Sequence, residues 1–167
     1  MTGIRQARLD DAAAIGFIEV ETWQATYAGL LDDHTLIAMS TARKARQWAA
    51  EMRHGATGLW VWEDDQLGLL GFGHCGAQRV PSLTYDGEIS MLYVLPDAQG
   101  QGIGRNLLQG MFTDLKDRGM GSVLVWVLEA NPSRFFYARL GGKLVLRRTI
   151  PFGATQVDAL GYGWEIL

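Results

Sequence analysis

Glu88-Ile89-Ser90-Met91-Leu92-Tyr93-Val94-Leu95-Pro96 runs into Asp97-Ala98-Gln99-Gly100-Gln101-Gly102-Ile103-Gly104, and this stretch decides the fold. It reads as an apolar strand, then a glycine-rich turn, then a helix start, an order that aims several unpaired backbone N–H groups at one point where they can hold a phosphate. Pro96 ends the strand because proline cannot donate to a ladder. The helix that follows places Ile103, Leu107, Leu108, Met111, Phe112 and Leu115 at helical spacing, with Gly119 as its stop. Ser122 to Leu128 is then a short continuous apolar run, as expected of a strand buried on both faces. Strand, helix and buried strand predict a right-handed βαβ crossover with two parallel strands.

Working outward, the loose alternation of residues 3 to 8 reads as a first strand, and Asp10 or Asp11 suits the N-cap of a helix carrying Ala14, Ile15, Ile18 and Trp23. That helix ends in the aromatic-rich segment from Glu21 to Leu30. A second helix runs from about Thr41 to Arg53, with Ala45, Trp48, Ala49 and Met52 as its apolar face and Gly55 as a stop. Residues 58 to 63 and 67 to 77 read as a hairpin turning at Asp64-Asp65, since Trp60 and Trp62 share one face. Asn131-Pro132 suits a short helix, Asn as N-cap and Pro at the first helical position, ending at Gly141-Gly142. Two closing strands, near 143 to 149 and 156 to 165, flank a Pro151-Phe152-Gly153 turn. The sum is a mixed sheet with helices on both faces.

With 167 residues, 48% hydrophobic and 20% charged, the chain fits one globular domain, 1 to 167. A net charge of −3 and no basic cluster longer than Arg147-Arg148 argue against nucleic acid. The start has no apolar signal region and no stretch is long enough to span a bilayer, so no membrane partner is expected and the expected location is cytoplasmic. Cys75 is the only cysteine, which excludes an internal disulfide. His34, His54 and His74 lack metal-ligand spacing, so no metal is expected. In an alternating apolar strand, Cys75 reads as a small core residue, and His74 points to the opposite face with no partner visible in the sequence.

A turn alone does not need three glycines at every second position with a long glutamine upstream, so the loop reads as an anion cradle. Gln99-x-x-Gly102-x-Gly104 after Leu92-Tyr93-Val94-x-Pro96 resembles the acetyl-CoA signature of the GNAT N-acetyltransferase superfamily. Glu129-Ala130-Asn131-Pro132-Ser133-Arg134-Phe135-Phe136-Tyr137-Ala138-Arg139-Leu140-Gly141-Gly142 is similar to that family's Asn-Pro segment, and the two sit in the family order. The resemblance covers residues 58 to 167 well and the first third in outline. It implies a GNAT-like α/β domain: a mixed, mostly antiparallel sheet of six to seven strands, helices on both faces, and a splayed parallel central pair.

It implies acetyl-CoA as co-substrate, transferred to a primary amine in a ternary complex. Backbone N–H groups of Gly100, Gln101, Gly102, Ile103, Gly104 and Arg105 would hold the pyrophosphate, next to Gln99. The edge of Leu92, Tyr93 and Val94 would pair with the pantetheine arm, with a backbone N–H near Leu92 polarising the acetyl carbonyl. Glu88 is the candidate base and Glu129 its competitor; Tyr137 fits the acid that protonates the leaving thiolate, and Asn131 both caps its helix and contacts pantetheine. Trp23, Tyr27, Glu21 and the Ile150-Pro151-Phe152 turn are the candidate acceptor contacts. Short connections favour a small-molecule amine over a protein amino group. A silent acyl-CoA-binding module is the rival from another class. A misread nucleotide site is a third reading, weakened because no Lys-Ser/Thr pair follows the loop. The apolar C-terminal strands could support a homodimer.

Overall fold

The computed structural model describes residues 2–80, 84–153 and 155–166. Its elements run β1 (Gly3–Gln6), α1 (Ala12–Tyr27), α2 (Asp33–Ile37), α3 (Thr41–Arg53), β2 (Leu59–Asp64), β3 (Gly68–Ala77) and β4 (Gly87–Val94). After these come α4 (Ile103–Asp117), β5 (Ser122–Leu128), α5 (Arg134–Arg139), β6 (Lys143–Phe152) and β7 (Thr155–Glu165). One seven-stranded sheet has the order β1-β2-β3-β4-β5-β7-β6. Among the described residues only β4 and β5 pair in parallel, so the mixed, mostly antiparallel sheet and the βαβ crossover stand as read.

Side-chain alternation along the strands splits the core into two layers. Cys75, Ile89, Val123 and Val125 pack with Leu108, Met111 and Leu115 of α4 and Tyr137 of α5. Phe72 and Val61 face the other way, onto Ile15 and Ile18 of α1 and Trp48 of α3. Leu107, Leu108, Met111 and Leu115 are each at most 1% exposed, and burying one such side chain stabilises by about 1.5–3 kcal/mol. Gly16 lets α1 and α3 touch: a Cβ there would stand 2.6 Å from the Ala45 backbone nitrogen.

Several boundaries differ from the sequence reading. The first strand stops at Gln6, and although Asp11 precedes α1 its carboxylate makes no cap bond there, being taken by Arg5 at 2.7 Å and the Arg8 N–H at 2.6 Å. The five-residue α2, capped by Asp32, was not expected because one turn carries no periodicity. The helix assigned to Asn131-Pro132 begins only at Arg134; Asn131 Oδ1 instead closes a local turn on the Ser133 N–H at 2.8 Å. Ile150, Pro151 and Phe152 continue β6 rather than forming the turn, which an edge strand permits a proline to do.

Two irregularities open the sheet at its centre. The β4–β5 ladder holds only Gly87, Glu88 and Ile89 against Val123, Leu124 and Val125; beyond that the strands diverge. At the same level Cys75 pairs with Ile89 and His74 with Met91, leaving Ser90 as the extra residue of a bulge. Ile89 sits in the α4 layer, whereas Met91 and Tyr93 sit in the α1–α3 layer. The bulge therefore turns β4 over where it parts from β5.

Candidate active site

The gap between the diverging strands has an unpaired backbone edge. Leu95 N donates to Leu70 O at 2.9 Å, so alternation turns the N–H and C=O of Leu92 and Val94 away from β3, toward the opening. The Val94 carbonyl takes a bond from Gln99 Nε2 at 3.0 Å, so Gln99 pins the loop to this edge. Gln101 Nε2 ties the same loop to the Asp97 carbonyl at 3.3 Å.

The loop itself leads straight into α4. Gly100 and Gly102 have φ of 76° and 85°, left-handed values that glycine adopts without penalty, and Gly102 is the N-cap. The first N–H groups of α4, from Ile103, Gly104 and Arg105, have no helical partner. A Cβ at Gly100 would meet nothing within 4 Å, and one at Gly102 only Asn106 Nδ2 at 4.0 Å, so open space lies before the turn. The positive end of a 15-residue helix and a ring of free donors suit an anion, so the residues present fit a pyrophosphate. Gly104 lies between α5 and β4, its Cβ position in ordinary contact with Phe136 at 3.5 Å and Val94 at 3.8 Å.

Three phenols, those of Tyr27, Tyr93 and Tyr137, lie near enough to act on one another. Trp23 Nε1 donates to the Tyr93 hydroxyl at 3.0 Å and Asn131 Nδ2 to the Tyr27 hydroxyl at 2.9 Å. Tyr137 is buried, and burial followed by the nearby Tyr27 phenol raises its pKa well above the ordinary tyrosine value. Burial likewise raises Tyr93 and Tyr27. All three stay neutral hydrogen-bonding groups throughout the neutral range. Phe152 stacks on Trp23 at 5.7 Å, which brings the α1 and β6 acceptor candidates together; Glu21 is exposed.

Glu88 is 3% exposed and sits beside Leu124 in the short parallel ladder, on the face opposite α4. Its oxygens accept from the Arg79 N–H at 3.2 Å, Arg79 Nε at 3.4 Å and Nη2 at 2.6 Å. Glu129 lies farther out at the end of β5, held by Arg147 at 2.6 Å, in the wall of a cleft of about 500 Å³ shared with Leu30, Leu31 and Leu128. Cys75 faces the other layer, donates to Asp114 at 3.4 Å, and is pushed up to about 12 by burial and that carboxylate, which leaves it a thiol.

Two groups escaped the sequence reading. Arg79, the partner of Glu88, lies in the β3–β4 connection, where an arginine is unremarkable. His74 has a partner that the linear sequence does not show: its Nδ1 is 2.7 Å from Ser90 Oγ, across the bulge. Nothing in a linear pattern marks a bulge residue. Among the described residues there is no group of His, Cys, Asp or Glu able to hold a metal ion, and no helix long and apolar enough to cross a membrane.

The model of the acetyltransferase (GNAT) family matches residues 17–142. The chain is 29% identical over 167 residues to the uncharacterized N-acetyltransferase YuaI of Bacillus subtilis (strain 168), covering all of this chain and 95% of that one. It is 37% identical over 109 residues to the mycothiol acetyltransferase of Rhodococcus jostii (strain RHA1), covering 60% of this chain and 34% of that longer one. Among solved structures, the PaiA N-acetyltransferase of Thermoplasma acidophilum in complex with coenzyme A superposes with a TM-score of 0.75 at 19% identity over 99% of both chains. The splayed central pair, the glycine cradle at the start of α4 and the family match agree, and the chain belongs to the GNAT acetyltransferase family.

Proposed function

We propose that the protein is an acetyl-CoA-dependent N-acetyltransferase acting on a primary amine by direct transfer in a ternary complex. The observation that carries this reading is the edge of Leu92 and Val94, paired on its outer side with no strand among the described residues, opening beside the Gly100–Arg105 cradle. One surface offers strand-like pairing to an amide-bearing arm and, one turn away, donors to its phosphates. Acetyl-CoA, when bound, supplies the activated acetyl thioester. Gly100, Gln101, Gly102, Ile103, Gly104 and Arg105 hold the pyrophosphate, and Gln99 yields the Val94 carbonyl to the pantetheine. Leu92 and Val94, flanked by Tyr93, align the arm, with Asn131 at its side, and the Leu92 N–H polarises the acetyl carbonyl.

An alkylammonium of pKa ~10.4 costs roughly 4–5 kcal/mol to neutralise at pH 7, so a base at the amine matters. Glu88 draws that proton, directly or through a water, since it is buried in the short parallel ladder, next to the apex of the gap. Tyr137, neutral and buried, donates its hydroxyl proton to the departing sulfur. Glu129, bound to Arg147 in the outer cleft, shapes the acceptor entrance instead. The cleft's size, within the ordinary range of small-ligand sites, favours a small-molecule amine. Calorimetric titration tests the donor assignment: CoA and acetyl-CoA bind well ahead of ATP and NAD, and a preference for either nucleotide would overturn it.

A further inference from the structure

The geometry points to His74 and Ser90 as a proton relay that carries the acceptor's ammonium proton from the apex of the gap out to solvent. The inference rests on the acetyl transfer proposed above. Its first support is placement. Ser90 is the bulged residue, immediately past the last β4–β5 pair, so it sits where the cleft begins. Glu88 lies two residues earlier, on the opposite face from Ile89, and His74 shares that face because its ring stands 6.3 Å from Trp48 of α3. Glu88 and Ser90 are therefore about 7 Å apart along one strand, a gap that an amine or a single water can bridge.

The second support is hydrogen bonding. Three bonds from Arg79 fill most of the acceptor sites of the Glu88 carboxylate, which favours passing on a proton taken up there. Ser90 Oγ is 2.7 Å from His74 Nδ1, and the Thr57 backbone acts as an acceptor toward the same imidazole. A neutral ring with its proton on Nε2 presents its Nδ1 lone pair to the Ser90 hydroxyl at 2.7 Å, a shorter contact than the 3.4 Å from that hydroxyl to the His74 carbonyl. The remaining groups acting on the ring are Glu51 on α3, Arg79 in the β3–β4 connection and Arg118 at the end of α4; burial dominates and keeps the imidazole neutral.

The transfer balances. The acceptor N–H bond breaks and leaves its electron pair on nitrogen as an O–H bond forms on Glu88. That O–H then breaks to the bridging water, which passes a proton of its own to Ser90, and the old Ser90 proton makes the Nδ1–H bond of an imidazolium. The imidazolium returns to neutral by losing its Nε2 proton to solvent, and exchange with water restores the tautomer.

The test is thiol release from acetyl-CoA with a panel of primary amines from pH 6 to 10, for the wild type, His74→Gln, Ser90→Ala and Ser90→Thr. In the wild type kcat levels off above the His74 titration. In His74→Gln and Ser90→Ala, kcat at pH 7 falls about 100-fold with KM little changed, and it keeps climbing with pH. Ser90→Thr retains the plateau; should His74→Gln not fold, the two Ser90 variants carry the test. Variants whose profiles keep the wild-type shape, whatever their rate, overturn the relay alone. Absence of thiol release by the wild type with every amine overturns the transfer reading, and the relay falls with it.

Discussion

Arg79 holds Glu88 from the solvent side: the carboxylate is 3% exposed, whereas the arginine side chain that grips it at 2.6 Å is 70% exposed. The pair is thus asymmetric, and its two halves respond differently to mutation. Arg79→Ala strands a buried carboxylate and is expected to cost about 1–3 kcal/mol of stability. Glu88→Gln frees only a hydrated guanidinium, so it costs under about 1 kcal/mol while lowering kcat by roughly 100-fold or more. Urea unfolding and steady-state rates check both, and equal destabilisation by the two changes would contradict the asymmetry.

The glycines of the loop divide by position. Gly102 needs its left-handed φ of 85°, so Gly102→Ala costs about 1–2 kcal/mol of backbone strain and weakens CoA binding by at least 10-fold as the cradle's N–H groups shift. Gly104 has no such φ, and its Cβ position stands 3.5 Å from Phe136, an ordinary contact. Gly104→Ala is therefore expected to bind CoA within about 3-fold of wild type, since a Cβ there meets only van der Waals neighbours. Calorimetry on the two variants decides.

Tyr137→Phe removes a hydroxyl from a buried, aromatic-lined position without changing ring packing against Tyr162 and Trp164. The fold is expected to melt within a few degrees of wild type, CoA to bind normally, and kcat to fall about 100-fold. Unchanged kcat would reduce Tyr137 to a core residue.

Buried titratable groups set the pH range of stability. Burial raises Tyr27, Tyr93 and Tyr137 above their unfolded values, so their contribution is whole below pH ~10 and is lost as pH rises toward the folded values. Burial lowers His74, so its contribution is whole above pH ~6.5 and is lost as pH falls through the folded value. Burial also raises the Cys75 thiol, whose contribution is lost as pH rises above ~8.5, so urea midpoints are expected to be flat between about pH 6.5 and 8.5 and to drop outside that range. Tyr93→Phe should soften the alkaline drop; an identical slope in that variant would contradict the assignment.

Much of this was legible in the sequence because it depends on local pattern. Ile103 to Leu115 has one apolar stripe, Val123 to Val127 an unbroken apolar run, and the glycines a fixed spacing, so the crossover and the glycine turn follow from the sequence alone. What lay hidden depends on contacts distant in sequence. Ser90 reads as one more strand residue, and only the register against His74 and Cys75 shows that it is a bulge. Asn131 matches a helix cap by type, yet its amide serves Tyr27, 104 residues away. The pairing of Trp23 with Phe152 required the β6–β7 hairpin to reach back over α1, a tertiary contact that neither segment announces.

The central claim is that this chain moves an acetyl group from CoA to an amine. Its most direct measurement follows free thiol and the N-acetylated amine together, by absorbance and mass spectrometry, across a panel of primary amines with acetyl-CoA. Equal amounts of thiol and N-acetyl product with at least one amine, both greatly reduced in Glu88→Gln, are the predicted result. Tight acetyl-CoA binding with neither product for any amine would contradict it and leave an acyl-CoA-binding module.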